Sequence, residues 1–160
     1  MILKIRSTMS ESTVRLECGR DSSRSLSHLR IAFAANIVFR DEEASVDLLA
    51  LNESPLFGFA DDFTRVVSEV VHGASSSSFN DFYDEYSLTV LRLDSTMVRV
   101  RDNLSDGFVV ELDELVRACL AWHEHIRAQT AECFPELAEH REFCSWLAAL
   151  GSDLCSAPPH

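Results

Sequence analysis

The spacing of apolar residues changes from two to three or four and back again, and this limits which folds the chain can form. Leu3 and Ile5 alternate with Lys4 and Arg6. A period of two is typical of strands with one buried face. The alternation recurs over residues 14–18, 29–39 and 45–51, with polar residues 41–43 between the last two. The first third therefore predicts four antiparallel strands joined by short turns.

Ser54 and Pro55 introduce a different period. Serine followed by proline is a helix-start signal, and Gly73 is a suitable stop. Apolar residues between them recur at three and four positions: Leu56, Phe59, Phe63, Val66, Val67 and Val70. This spacing predicts an amphipathic helix packed on a sheet.

Strand-like alternation returns after the helix and is followed by helical spacing to the end. Residues 88–93, 97–101 and 108–112 predict three strands, with turns at Asp94-Ser95 and Asp106-Gly107. Two helices follow, one carrying the apolar stripe from 112 to 126 and one running from Pro135 to Gly151. The prediction is a single α+β domain over residues 1–151, with antiparallel sheets in a ββββ-α-βββ-αα order. Residues 152–160 are predicted to be a flexible C-terminal tail.

Length and composition narrow the functional classes. The chain has 160 residues, of which 46% are hydrophobic, enough for one core. Its longest apolar runs fall well short of the roughly 20 residues of a membrane helix. The alternating N-terminus lacks the continuous apolar stretch of a signal peptide. We expect a cytoplasmic protein, and the odd number of cysteines, five, predicts reduced thiols.

Charge is unevenly distributed along the chain. Residues 1–40 contain seven basic and three acidic residues, whereas residues 41–160 contain seven basic and 23 acidic ones, and the net charge is −12. Such an excess repels nucleic-acid phosphates and anionic membranes, and steers basic proteins toward the surface. We therefore expect a basic protein partner, and neither nucleic acid nor membrane. Acidity that serves solubility alone is the alternative.

The segment SSSSFNDFYDEYS, residues 75–87, combines aromatic rings with carboxylates after a serine-rich connection. Rings supply contact area and carboxylates pair with arginine or lysine, so the segment predicts a partner-binding surface at Asp81, Tyr83, Asp84 and Glu85. The alternative is an edge strand with Phe79, Phe82 and Tyr86 in the core. Two further acidic clusters are candidate contacts: Asp41, Glu42 and Glu43, and Asp61 with Asp62.

Enzyme motifs are absent from the sequence. It has no glycine-rich phosphate loop and no GxSxG elbow. His123 and His125 are two positions apart, which points them to different faces of a helix and does not fit HExxH spacing. We therefore predict no catalytic residues and no cofactor. A catalytic pair among the 26 acidic residues would leave no signature, so an enzyme of unrecognised family is the alternative.

Four potential metal ligands are symmetrically spaced. Cys119 and His123 are four apart, as are His140 and Cys144. In an antiparallel helical hairpin the two pairs would face each other, and such a set suits tetrahedral zinc. All four also lie on apolar stripes, where burial accounts for them. We predict no metal, with a metal-binding domain as the alternative.

The sequence resembles two known classes of protein. The element order resembles the Whirly fold, in which two antiparallel sheets are each followed by a helix. Because the lysine-rich DNA-binding motif of that family is missing and the charge is opposite, only the layout is compared. A small acidic α+β protein without a catalytic motif also resembles the immunity proteins of bacterial polymorphic-toxin and contact-dependent-inhibition systems. That resemblance implies a non-catalytic inhibitor that occludes the active site of a toxin domain, often a basic nuclease.

Overall fold

A computed structural model describes residues 1–9, 26, 29, 31, 33–81 and 85–156. It contains two antiparallel sheets, each followed by a helix. The first sheet has the order β1-β2-β3, formed by β1 (Leu3–Met9), β2 (Ala34–Asp41) and β3 (Val46–Pro55). The second has the order β4-β5-β6-β7, formed by β4 (Ser76–Asn80), β5 (Ser87–Arg92), β6 (Met97–Asp102) and β7 (Phe108–Glu111).

The helices lie where the spacing of apolar residues changes from two to three or four. Helix α1 (Leu56–Val71) follows the first sheet and α2 (Leu112–Cys133) follows the second. A 3₁₀ turn (Pro135–Glu139), α3 (Arg141–Ala149) and the short α4 (Ser152–Cys155) complete the described chain. The α+β class and its antiparallel sheets are thus confirmed. None of the helices in the described residues is both long and apolar enough to span a bilayer.

Some local predictions need correction. Only the later part of the predicted strand 29–39 is β2, and Leu29 and Ile31 are helical. Leu29 and Phe33 are buried while Ile31 is exposed, so spacing of four outweighs the apparent alternation there. The predicted strand 14–18 lies outside the described residues.

The serine run differs from its first interpretation. Residues 74–78 are predicted to be a mobile connection, but Ser76–Asn80 forms edge strand β4, with Phe79 opposite Leu88 of β5, as the alternative of an edge strand has it. Backbone pairing to β5 and burial of Phe79 outweigh the weak strand preference of serine. At the C-terminal end, residues 152–160 are predicted to be a flexible tail, but α4 begins at Ser152 and buries Leu154.

The core joins both sheets through phenylalanine rings. Phe39 on β2 is fully buried and packs edge-on against Phe63 of α1, with ring centroids 5.2 Å apart. On its other side it lies 5.9 Å from the ring of Phe108 on β7. One side chain therefore contacts α1 and the second sheet, so the strands and α1 are positioned by a shared core.

Helix α2 holds the edge strand β1 by three hydrogen bonds, here called the β1–α2 clasp. The Leu3 amide donates to Glu114 Oε1 at 2.8 Å, and Trp122 Nε1 donates to Ser7 Oγ at 3.0 Å. His125 Nε2 bonds the Ser7 carbonyl oxygen at 3.3 Å. Since β1 has a partner strand on one side only, these bonds satisfy polar groups at an otherwise open edge.

Substitution of Glu114 tests the clasp. Glu114 is buried and accepts the Leu3 amide, so Glu114→Ala leaves a buried donor without a partner. We expect the free energy of unfolding to fall by about 1–3 kcal/mol, measured by urea denaturation. The control is Glu111→Ala, an exposed acid near the start of α2, which should change it by less than about 0.5 kcal/mol. Equal losses in the two variants would contradict a special role for Glu114.

Candidate partner-binding site

The connection between β4 and β5 is shaped by Asp81. Its Oδ1 accepts the amides of Glu85 at 3.0 Å and Tyr86 at 3.2 Å, while its own amide donates to the Tyr86 carbonyl at 2.8 Å. The aspartate therefore closes the hairpin and positions Glu85, which is exposed. Of the predicted contact residues, Tyr83 and Asp84 lie outside the described residues, as does Phe82.

A second turn, between β6 and β7, lies beside this hairpin and was not predicted as part of the site. Asp102 Oδ1 accepts the amides of Leu104 at 2.9 Å and Ser105 at 2.7 Å. Gly107 has φ +66°, and a Cβ there would lie 1.8 Å from the Val100 carbonyl oxygen, so only glycine fits. The turn exposes the Leu104 side chain to 81% of its full extent.

Asn103 joins the two turns into one surface. Its Nδ2 donates to the Glu85 carbonyl at 3.0 Å, and its Oδ1 accepts the Ser87 amide at 3.1 Å. Its backbone amide also donates to the Ser87 carbonyl at 3.1 Å. These bonds cross from β6 to the start of β5. We call the result the loop surface: Asp81, Glu85, Asp102, Leu104 and Asp106.

The loop surface presents an apolar side chain on the same turn as two carboxylates. Leu104 borders a depression together with Asp102 and Asp106, and Arg101 at the end of β6 lines the same depression. A large exposed side chain on a hydrogen-bonded turn costs little ordering entropy when a partner covers it. The arrangement therefore suits an apolar contact ringed by charge pairs.

A cleft of about 380 Å³ opens behind the loop surface, between α1 and the ends of β3 and β4. Its apolar wall is formed by Ile31, Leu51, Phe59 and Phe79, and its polar groups include Asp62, Asp81, Asn80 and Tyr86. The rings of Phe59 and Phe79 meet nearly at right angles, 77°, with centroids 5.3 Å apart. The fold thus brings together Asp62 and Asp81, which belong to two separately predicted clusters.

Tyr86 occupies the junction of the cleft and the loop surface. Its hydroxyl oxygen is buried. Burial, followed by the charge of Asp102, a hydrogen bond to that carboxylate and the charge of Asp81, raises the pKa of this phenol well above its ordinary value. Tyr86 is therefore neutral at physiological pH.

The cluster at Asp41–Glu43 is engaged within the chain. Asp41 Oδ1 accepts the Glu43 amide at 3.0 Å in the β2–β3 turn. Glu42 forms ion pairs with Arg6 at 2.6 Å, Arg40 at 3.9 Å and Lys4 at 4.0 Å. Glu43 is exposed and pairs with the Met1 amino group at 2.6 Å. Local cations thus offset much of the charge of this cluster.

The two acidic residues on α1, Asp61 and Asp62, have different neighbours. Asp62 lines the cleft, whereas Asp61 Oδ1 accepts Trp146 Nε1 of α3 at 3.3 Å. Asp61 therefore links α1 to α3. Asp81 and Glu85 belong to one hairpin and Asp62 lines the same cleft as Asp81, whereas Asp61 faces α3 and residues 41–43 lie in the β2–β3 turn.

The four potential metal ligands have different neighbours. Cys119 and His123 are fully buried beside Thr64 of α1. His140 Nδ1 instead caps α3 by accepting the Phe143 amide at 3.0 Å, and the Cys144 thiol donates to the Leu137 carbonyl at 3.3 Å. The 3₁₀ turn lies between α2 and α3, so these helices do not form the symmetric antiparallel hairpin that would place the two pairs face to face. Among the described residues, no group of three or more His, Cys, Asp and Glu side chains is placed to hold a metal ion.

The buried Thr64–His123–Cys119 group does not contain an activated nucleophile. The Thr64 hydroxyl donates to the Ala60 carbonyl at 2.5 Å, so it accepts from His123 Nε2 at 2.8 Å. The ring proton is thus on Nε2, and Nε2 is not a base toward Thr64. Burial raises the pKa of the Cys119 thiol to about 12, which keeps it protonated.

His123 should make stability depend on pH. Burial, with a smaller effect of Arg127, lowers its pKa from 6.5 to about 4. Between these values the unfolded chain binds more protons than the folded one, so the free energy of unfolding falls as pH falls. We expect a loss on the order of 2–3 kcal/mol from this group across the window.

The measurement is the proton NMR titration of the His123 ring, with urea denaturation at pH 7 and pH 5. His123→Gln should flatten the pH dependence of the free energy of unfolding relative to the wild type. A titration midpoint near 6.5 for His123 would contradict the prediction.

Comparisons with protein-family models, with curated proteins and with solved structures find no match to this chain.

Proposed function

We propose that this chain is a non-catalytic inhibitor that binds a basic protein partner, and that the partner is a toxin domain of the kind neutralised by bacterial immunity proteins. The observation that carries the proposal is the loop surface. It exposes Leu104 on a hydrogen-bonded turn that also carries Asp102 and Asp106, in a chain whose net charge is −12. A hydrophobic anchor with a charged rim is the arrangement found in specific protein interfaces.

The proposed mechanism is occlusion. A nuclease uses arginine and lysine to bind the phosphates of its substrate. Carboxylates on the loop surface would pair with those cations and exclude the substrate while Leu104 fills an apolar contact. The inhibitor must then be present in the cytoplasm, where the toxin would act.

The function is tested by co-expressing this chain with each product of the neighbouring genes that arrests growth, and by mixing the two purified proteins. We expect restored growth, a stable one-to-one complex, and inhibition of the toxin in the purified mixture. Growth arrest that persists, with no complex detected by calorimetry at micromolar concentrations, would reject the proposal for that partner.

Leu104 should be a major contributor to the affinity. Leu104→Ser should raise the dissociation constant by about tenfold or more, because a central apolar contact is lost. Leu93→Ser is the matched control, since Leu93 is also exposed, at 46%, but precedes β6 rather than following it. Neither change should lower the free energy of unfolding by more than about 0.5 kcal/mol. Equal effects of the two variants on binding would place the interface elsewhere.

Charge on the loop surface should act chiefly on the association rate. Long-range attraction is screened within about 8 Å at physiological ionic strength, so association should slow as salt is added while dissociation changes less. Glu85→Lys should slow association several-fold at low salt. Asp81 is unsuitable for reversal because its carboxylate holds the hairpin.

The matched variant is Glu139→Lys, the same charge change at an exposed position in the 3₁₀ turn. Stopped-flow or surface-plasmon-resonance kinetics at two salt concentrations measure both rates. If both reversals slow association equally, net charge alone governs the encounter and the loop surface has no special role in it.

A further inference from the structure

The open edge of β1 carries a row of backbone groups between the two ends of the β1–α2 clasp. The Ile2 carbonyl accepts the Glu42 amide, so even-numbered residues of β1 turn their backbone groups toward β2 and odd-numbered residues turn theirs toward the edge. The clasp uses the Leu3 amide and the Ser7 carbonyl. The Leu3 carbonyl, both groups of Ile5 and the Ser7 amide make no hydrogen bond to another described residue. They form two donors and two acceptors with the spacing of an antiparallel ladder.

A groove of about 390 Å³ runs beside this edge, between β1 and α2. Helix α2 contributes Ala118 and Ala121 to its wall, and Trp122 and His125 line it further along the helix. The two alanine side chains are short, so side chains that point from an added strand toward α2 have space above them. Since side chains alternate along a strand, every second residue of such a strand would enter the groove.

The groove is basic in a chain whose net charge is −12. Lys4 and Arg6 line it, and none of the described residues in its lining is acidic. Their side chains are 57% and 56% exposed, and both pair with Glu42, at 4.0 Å and 2.6 Å. Arg40 contacts the same carboxylate at 3.9 Å. One carboxylate offsets only part of this positive charge, so acidic side chains on an added strand would be attracted to the edge.

A second copy of the chain is a poor occupant of the edge. Antiparallel pairing of β1 with its own copy about Ile5 places Lys4 opposite Arg6. A shift to the next hydrogen-bonded register places Lys4 or Arg6 opposite itself. Like charges directly opposite each other destabilise a pair of strands. The basic residues therefore oppose self-association of this edge and favour a strand of opposite charge.

We propose that the β1 edge binds an extended, acidic segment of a partner protein as an added antiparallel strand. The residue opposite Ile5 would exchange two backbone hydrogen bonds with it, and the neighbours of that residue would place carboxylates opposite Lys4 and Arg6. Antiparallel addition continues the pairing of the first sheet. Main-chain bonds supply affinity and alternate side chains supply specificity in this kind of recognition. The surface is separate from the loop surface and goes beyond the proposed inhibition.

The probe is a seven-residue peptide, acetylated and amidated, in which glutamate alternates with valine and occupies both ends. It is titrated into the full chain while backbone amide hydrogen exchange is followed by NMR. We expect saturable binding with a dissociation constant on the order of 1 mM, and exchange slowed several-fold at Ile5 and Ser7. The amides of Lys4 and Arg6 already bond β2 and should change less. The same peptide with lysine in place of glutamate should bind about tenfold more weakly or not at all.

Methylation of the peptide nitrogens separates strand pairing from charge. In an antiparallel pair, directly opposite residues lie on the same face, so the residues that donate N–H groups to β1 are the valines. N-methylation of the three valines should therefore abolish binding. N-methylation of three of the glutamates, whose N–H groups point away from β1, should preserve it. Both peptides are tested with the natural chain, so this comparison does not depend on the folding of any variant.

Charge-reversed variants locate the site on the first sheet. Lys4→Glu combined with Arg6→Glu should reverse the preference in favour of the lysine peptide. Arg99→Glu combined with Arg101→Glu makes the same charge change on β6 of the second sheet, and should leave the preference unchanged.

Equal binding of the glutamate and lysine peptides would overturn the inference. Binding that survives methylation of the valines would also overturn it, as would unchanged exchange at Ile5 when the peptide is bound. A dimer detected by sedimentation equilibrium, in which the Ile5 amide is protected without peptide, would assign the edge to a second copy and overturn the partner strand.

Discussion

The clasp between β1 and α2 sets the arrangement of the molecule. A three-stranded sheet whose first strand is an open edge has polar groups that must be paired or solvated. Here the carboxylate of Glu114 pairs the Leu3 amide, and the indole of Trp122 pairs the Ser7 hydroxyl. Because α2 starts directly after β7, the same helix joins the first sheet to the second. The clasp and the shared core around Phe39 together position the two sheets and α1.

Aspartates shape every hairpin turn in the described part of the chain. Asp41, Asp81, Asp94 and Asp102 each accept two backbone amides in the turn that they begin. At Asp94 the amides of Thr96 and Met97 lower the pKa of the carboxyl group. The chain has only five glycines, so side-chain caps supply much of the turn geometry that glycine would otherwise permit. Part of the excess of acidic residues therefore serves to form turns.

The sequence was sufficient for the class and layout because apolar spacing reports which face is buried. The sequence was misleading at Leu29 and Phe33, where the apolar residues fit both the strand period of two and the helical period of four. It was also misleading in β4, where backbone pairing to β5 outweighs the weak strand preference of serine. The candidate site was only partly predictable. The sequence indicates Asp81, Glu85 and Asp62 as candidates, but that Asp62 lines the same cleft as Asp81 depends on where α1 packs. Leu104 had a weak signal, an apolar residue between turn-forming residues, and its exposure is decided by the Asp102 bonds.

The cleft and the loop surface share residues and hydrogen bonds, so their relative positions are fixed. Asp81 closes the hairpin, lines the cleft and carries charge toward the loop surface; Tyr86 lies between Asp81 and Asp102. Asn103 fixes the second turn to the first. A partner of the proposed kind that occupied one region would therefore meet the other in a set geometry, with little ordering left to complete. Shape and charge are presented together, so a partner that matches only the net charge would gain attraction at a distance without a stable contact.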